Sequence, residues 1–333
     1  MALDHSPSIQ VSAGESNETA VTVLPAKRKT TKDDAELTLL ALPTIVWYVL
    51  FTYLPMFGII IAFKRYRPIR STNFLVSLIR SEWVGLENFR FLFQTPDPAI
   101  MFRNTLLYNA AFIILGLLVP VTLAIMMSQL HSRRLAKVTQ TMIFLPHFLS
   151  WVVVSYFLFS FLSVDKGLVN RLLLAAGGEE VQWYLNTRPW PFILVGMNMW
   201  KTVGYGMVLY LAAIAGIDHQ LYEAAVIDGA SKWQQTWRIT LPMLRPVMTI
   251  LFILAVGRIF STDFGLFYQV PRNSGTLVPV TQTIDVYVYK ALMRVNNIGF
   301  SSAAAFMQSI FGFFTILAAN SLVRRIDPES SLF

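Results

Sequence analysis

The chain has 333 residues, 55% of them hydrophobic and 14% charged, with a mean hydropathy of +0.53. Soluble domains carry about 25% charged residues, so this composition excludes an ordinary water-soluble globule, and the length accommodates about six to ten membrane passes with their loops. Cys is absent, which removes disulfides, Cys-ligated zinc, iron–sulfur clusters and thiol nucleophiles, and the net charge of +8 in so apolar a chain points to anionic headgroups or an anionic solute and not to nucleic acid.

Residues 1–36 are polar, rich in Ser, Thr and Ala, and carry the basic run Lys27-Arg28-Lys29 with Lys32. Nothing there can bury a core, so a disordered tail is expected. Leu37 to Phe63 then runs without a charge, too long for the apolar part of a secretory leader, and no small-residue cleavage site follows it. Pro43 and Pro55 inside it are tolerable where neighbouring helices satisfy the freed carbonyls. Five further apolar segments, at about 104–130, 139–163, 190–216, 245–262 and 300–323, are each near the length of about 20 residues that crosses a hydrocarbon core. No alternation of period two suggests a β-barrel. The expected fold is all-α and polytopic, with six spans in a membrane domain over 37–325 and a short tail at 326–333. Lys and Arg do not orient it: with the N-terminus inside, the inner segments hold 12 and the outer ones 13, which gives no decision.

The segment 217–246, between the fourth and fifth spans, reads as two short helices. Asp218 is placed to cap the first, Gly229 supplies a permissive elbow, and Ser231 with Gln234 has the spacing of a capping box for the second. Pro242 is expected to close that second helix. Ala224 and Ala225 leave the first helix with little bulk, so another surface can approach its backbone.

Glu223-Ala224-Ala225, Gly229, Ile239, Leu241 and Pro242 fall at the fixed spacing of the EAA loop, and in this the chain resembles the permeases of binding-protein-dependent ABC importers. The resemblance extends over most of residues 37–325. Trp83-Val84-Gly85-Leu86-Glu87-Asn88-Phe89 looks like the stretch preceding the second span in sugar-class permeases, and Asn104-Thr105-Leu106 opens that span as it does in the family. Read without the family, residues 83–89 fit an interfacial helix equally well. Among sugar-class permeases the chain looks most like those for complex or acidic oligosaccharides, the alginate importers in particular.

The resemblance implies that 217–246 is cytoplasmic and sits in a groove of an ATP-hydrolysing subunit, with Gly229 geometric, Glu223 a polar partner of the ATPase and the Ala pair steric. It implies a multi-pass protein of a bacterial inner membrane with both termini cytoplasmic. It also implies a second permease, two ATPases that bind ATP and Mg, and a solute-binding protein outside. No Gly-x-x-x-x-Gly-Lys-Ser/Thr sequence occurs, so no P-loop is expected in this chain, which is read as non-catalytic and without a cofactor or metal of its own.

For the solute path, Lys201 lies near the middle of the fourth span and Arg258 well inside the fifth, while the cores of the spans hold no Asp or Glu. A cation at the bilayer centre costs roughly 2.5–3.5 kcal/mol, so each requires a partner or a wet cavity. Two readings stand: the pair faces an anionic passenger such as a uronate oligomer, or Lys201 snorkels and Arg258 bonds Asp263 or helix-end carbonyls. Asn198, Gln308 and Asn320 are further polar candidates, with interhelical hydrogen bonding as the bland reading. The outer segment 263–299, with Phe267, Tyr268, Tyr287 and Tyr289, is a candidate docking region for an external protein. A proton-coupled carrier would need buried carboxylates or His relays, and a membrane enzyme a catalytic constellation; His5, His131, His147 and His219 are scattered.

Overall fold

The computed structural model describes residues 32–67, 73–90, 97–295 and 297–326. The expected tails, 1–36 and 326–333, lie outside these residues except for Lys32–Glu36 and Ile326, which are helical. The chain divides into two units, residues 1–56 and 57–333.

In the first unit, helix α1 (Lys32–Tyr48) passes into a π-helical turn, Val49–Tyr53, and a last turn, Leu54–Met56. Pro55 accounts for the widening. In a regular helix its ring would strike the carbonyl four residues back and its missing N–H would orphan that group. The π turn instead closes the Leu54 N–H onto the Val49 carbonyl. Leu40 and Phe51 are 77% and 61% exposed, a surface that suits lipid and not water.

The second unit opens with a 3₁₀ turn, Phe57–Phe63, and a two-stranded antiparallel ribbon of β1 (Lys64–Arg65) and β2 (Glu82–Trp83), with α2 (Phe74–Arg80) between them. Here the stretch 83–89 proves to be a strand end and a 3₁₀ turn, not an interfacial helix. Gly85 takes φ +57°, and the Asn88 Nδ2 donates to the Ala62 and Lys64 carbonyls at 2.9 and 3.0 Å. Arg65 bridges Glu82 and Glu87 at 3.1 and 2.7 Å. The motif is a clamp on the chain as it leaves the first apolar helix.

Next come α3 (Asp97–Ser128), α4 (Arg133–Phe144), α5 (Trp151–Leu162), α6 (Leu168–Ala175), α7 (Trp190–Ala215), α8 (His219–Ile227), α9 (Lys232–Gln235), α10 (Leu241–Gly257), α11 (Ile284–Val295) and α12 (Ile298–Ile326). Among the described residues five helices are long and apolar enough to cross a membrane: Glu36–Phe63, Pro98–Ser128, Trp190–Ala215, Lys232–Gly257 and Ile298–Arg325. A sixth forms if the bent pair Arg133–Phe148 and Trp151–Leu162 counts as one. Two apolar clusters hold this unit. Trp151, Trp190, Leu194, Leu266 and Phe267 pack together in one, and Val121, Met207, Tyr210 and Leu244 join α3, α7 and α10 in the other.

The segment expected at 139–163 is not one rod: it turns through 101°. Pro146 lies in a 3₁₀ turn, Leu145–Phe148, and cannot donate, Leu149 is extended, and Ser150 restarts the helix by accepting from the Val153 N–H at 3.3 Å. The carbonyls freed by the break need a donor. Lys201 of α7 supplies it, its Nζ lying 2.8 Å from the His147 carbonyl and 2.7 Å from that of Leu149, with the Trp151 ring beneath at 5.4 Å. Gly204, one turn on, lets α7 reach this elbow, since a methyl there would overlap the Ile143 carbonyl and the Phe144 backbone.

Lys201→Met should therefore lower stability by about 1.5–3 kcal/mol, the usual worth of hydrogen bonds to a charged group. Thermal unfolding of the purified chain in detergent measures it, with Lys201→Arg expected to keep part of the loss. An unchanged midpoint in both variants would contradict this role for Lys201.

Candidate functional site

The region 217–246 is built by caps. Asp218 Oδ1 accepts the Gln220 N–H at 3.0 Å and starts α8. At the other end the Ala230 N–H reaches the Ala225 carbonyl at 2.8 Å and the Gly229 N–H that of Val226 at 3.0 Å. These are the two bonds of a Schellman ending, which requires a left-handed residue, and Gly229 sits at φ +76°. Ser231 and Gln234 form the reciprocal capping box: the Ser231 Oγ accepts from the Gln234 N–H at 3.3 Å, and the Gln234 Oε1 from the Ser231 N–H at 2.7 Å.

Pro242 does not end the second helix as expected. α9 continues through a π-helical turn, Thr236–Thr240, into α10, and the whole forms the candidate span Lys232–Gly257. The Leu241 N–H closes onto the Thr236 carbonyl, five residues back, so the wider turn accommodates Pro242 as it accommodates Pro55 earlier. The fifth span thus starts at Lys232 and not near 245.

Two side-chain bonds tie this elbow to the helices, and neither was legible as a motif. The Tyr222 hydroxyl lies 2.9 Å from the Thr240 Oγ1, joining α8 to the root of α10. The Gln129 Nε2 donates to the Thr236 Oγ1 at 2.9 Å, joining the end of α3 to the same turn. Thr236 and Thr240, four residues apart and both buried, were the available signal of a polar helix face. Glu223 and Ala224 are exposed, with Ile227 86% exposed beside them, while Ala225, Gly229, Arg238 and Ile239 line a cleft of about 300 Å³ between the two helices. Glu223 makes no hydrogen bond or ion pair among the described residues, which leaves its carboxylate available.

The solute-path candidates separate. Lys201 is engaged at the elbow of α4 and α5, and Asn198 is buried on α7. Arg258 is not inside a helix: α10 ends at Gly257 and Arg258 is its C-cap residue. Arg258 and Gln308 do meet, in a cavity of about 480 Å³ shared with Ser261, Asp285 and Gly312. Asp285 was missed because its segment read as an outer loop; it stands in the first turn of α11, where a carboxylate suits the helix end. Its Oδ2 accepts from the Thr262 N–H at 2.6 Å and hydroxyl at 2.8 Å, and its Oδ1 from the Gln308 Nε2 at 3.1 Å. Asp263 does not pair with Arg258; it accepts from the Trp151 indole at 2.6 Å. Arg258 has no ion-pair partner among the described residues. Of the aromatics in 263–299, Phe267 is 1% exposed, and Phe264, Tyr268 and Tyr289 pack together with ring centroids 4.5 to 5.1 Å apart.

Residues 116–328 match the family described as binding-protein-dependent transport system inner membrane component. The polygalacturonan/rhamnogalacturonan transport system permease protein YteP of Bacillus subtilis is 35% identical over 87% of this chain and 88% of its own length. A chain from the crystal structure of a bacterial ABC transporter involved in the import of the acidic polysaccharide alginate superposes with a TM-score of 0.80 at 31% identity, covering 89% of this chain and 97% of that one. A chain of a bacterial alginate ABC transporter in complex with an alginate pentasaccharide-bound periplasmic protein gives 0.79 at 31% identity, covering 89% and 96%. The elbow, the helices and these likenesses agree: the chain belongs to the inner membrane components of binding-protein-dependent transport systems, the multi-pass permease subunits of sugar-type ABC transporters.

Proposed function

We propose that this chain is one of two permease subunits of an ATP-driven importer for an acidic oligosaccharide, coupled to its motor through residues 217–246. The observation that carries the reading is the elbow itself. A rigid, capped helix pair presents Glu223 and Ile227 outward and is bonded through Tyr222 to the root of a membrane helix. Such a part suits mechanical transmission, because packed helices move as bodies and do not deform smoothly. In this reading 217–246 and both termini are cytoplasmic. Two ATPase subunits take ATP and Mg and seat the elbow, a second permease completes the path, and a solute-binding protein delivers the cargo from outside. The chain itself performs no catalysis and holds no nucleotide or metal.

Gly229→Pro removes the left-handed turn, since proline holds φ near −65°. The expected outcome in vesicles carrying the complete transporter is ATP hydrolysis without uptake, with the chain still inserted. Normal coupled uptake would count against the elbow as the handle.

The anionic cargo is supported by the wall of the Arg258 cavity. Arg258 faces it with Asp285 already committed to Thr262 and Gln308, which leaves the guanidinium for a carboxylate on the passenger. The likeness to a permease of an alginate importer and to a polygalacturonan/rhamnogalacturonan permease supports the same class. Arg258→Gln should lower uptake of acidic oligosaccharides about tenfold or more, the scale of one charge-assisted bond, and leave neutral ones of equal length nearly unaffected. Equal loss for both would refute a charge-reading role.

A further inference from the structure

Two cavities meet at the root of α10, and together they have the shape of an amphipathic ligand. One, of about 430 Å³, lies between α3 and α10 and is apolar, with Leu117, Val121, Ile125, Trp237, Leu241 and Met248 on its walls. The other, of about 710 Å³, is of mixed polarity and collects the basic side chains His131, Arg133, His219 and Lys232 from the α3–α4 turn, the start of α8 and α9. They share Gln129, Lys232 and Thr236, so the Gln129–Thr236 hydrogen bond stands where the greasy groove becomes the basic chamber.

No carboxylate lines either cavity, and none of the four basic side chains has an ion-pair partner among the described residues. The nearest acid in sequence, Asp218, is occupied as the cap of α8. Lys232 donates only to the neutral Gln235 Oε1, at 3.3 Å. At the mouth of the apolar groove Trp233 and Trp237 are 70% and 53% exposed and meet edge to face at 5.5 Å, the residue type of a membrane-interface anchor. An open apolar slot ending in uncompensated positive charge is complementary to a lipid whose head is a phosphate and whose tail is an acyl chain.

We propose that an anionic phospholipid of the leaflet on the 217–246 side binds here, its acyl chain between α3 and α10 and its phosphate in the chamber of Arg133, His131, His219 and Lys232. The site is distinct from the Arg258 cavity and holds whichever way the solute travels. A lipid seated there touches α3, α9 and α10 together, so it braces the turn on which the elbow pivots.

The test uses the full-length chain, alone in detergent and in the assembled transporter. The probe is a phosphatidylglycerol with a photoactivatable diazirine at the end of one acyl chain, compared with the matching phosphatidylcholine. The glycerol lipid should label residues 117–126 and 233–248 at least about tenfold more than the choline lipid. Combining Arg133→Gln with Lys232→Gln should weaken it about thirtyfold, two basic side chains at their usual contribution near anionic lipid. On the unaltered chain, millimolar inorganic phosphate should not displace the label. Equal labelling by both lipids, or displacement by phosphate alone, would overturn the proposal. So would label that is lost in the assembled transporter, where a partner subunit would then fill the groove.

Discussion

Backbone polar groups in a hydrocarbon solvent have no water to turn to, and three breaks in the helices among the described residues are organised by that constraint. The elbow between α4 and α5 is closed by Lys201, whose ammonium takes the carbonyls of His147 and Leu149. The break after α10 is closed by Asn109, which donates to the Ile259 and Ser261 carbonyls at 2.8 and 3.0 Å, and by Gln308, which donates to that of Phe260 at 2.7 Å. Asn88 does the same where the chain leaves the first apolar helix. Polar residues in apolar stretches are thus mostly structural, and the exception is informative. Arg258 caps a helix end, opens onto a cavity and has no partner for its charge among the described residues.

The architecture and the elbow were legible from simple signals. Long uncharged runs mark the apolar helices, and Asp218, Gly229, Ser231 and Gln234 mark the caps, because the chemistry of a helix end is local. What could not be read was tertiary. Pro242 reads as a stop because nothing in sequence announces a π turn five residues long. The 101° bend needs Pro146 and Ser150, each unremarkable alone, and a lysine 52 residues beyond Leu149 to satisfy the result. Lys201 left two readings open for the same reason: a half-buried cation announces a partner without naming it, and backbone carbonyls have no sequence signature.

Asp285 shows the opposite error. The carboxylate lies in a segment that reads as an external loop, yet α11 puts it beside Gln308 and Arg258. Hydropathy profiles weigh each residue by its neighbours in sequence, so short helices that pack between the long apolar ones are invisible to them. The buried Phe267 belongs to the same class.

The continuity of α9 with α10 changes what the elbow is able to do. Had Pro242 closed the helix, a displacement of α8 would have been absorbed by a flexible joint before reaching the membrane core. Instead Lys232–Gly257 is one 26-residue candidate span, about 39 Å at the α-helical rise. Its near end is bonded to α8 by Tyr222 and to α3 by Gln129, and its far end is capped by Arg258. The turn bonded to the elbow and the residue that faces the polar cavity therefore belong to the same rod. A π turn softens a rod less than a chain break does, because the backbone bonds remain closed across it. Arg258, at that far end, and Asp285, held by Thr262 and Gln308, face the same cavity.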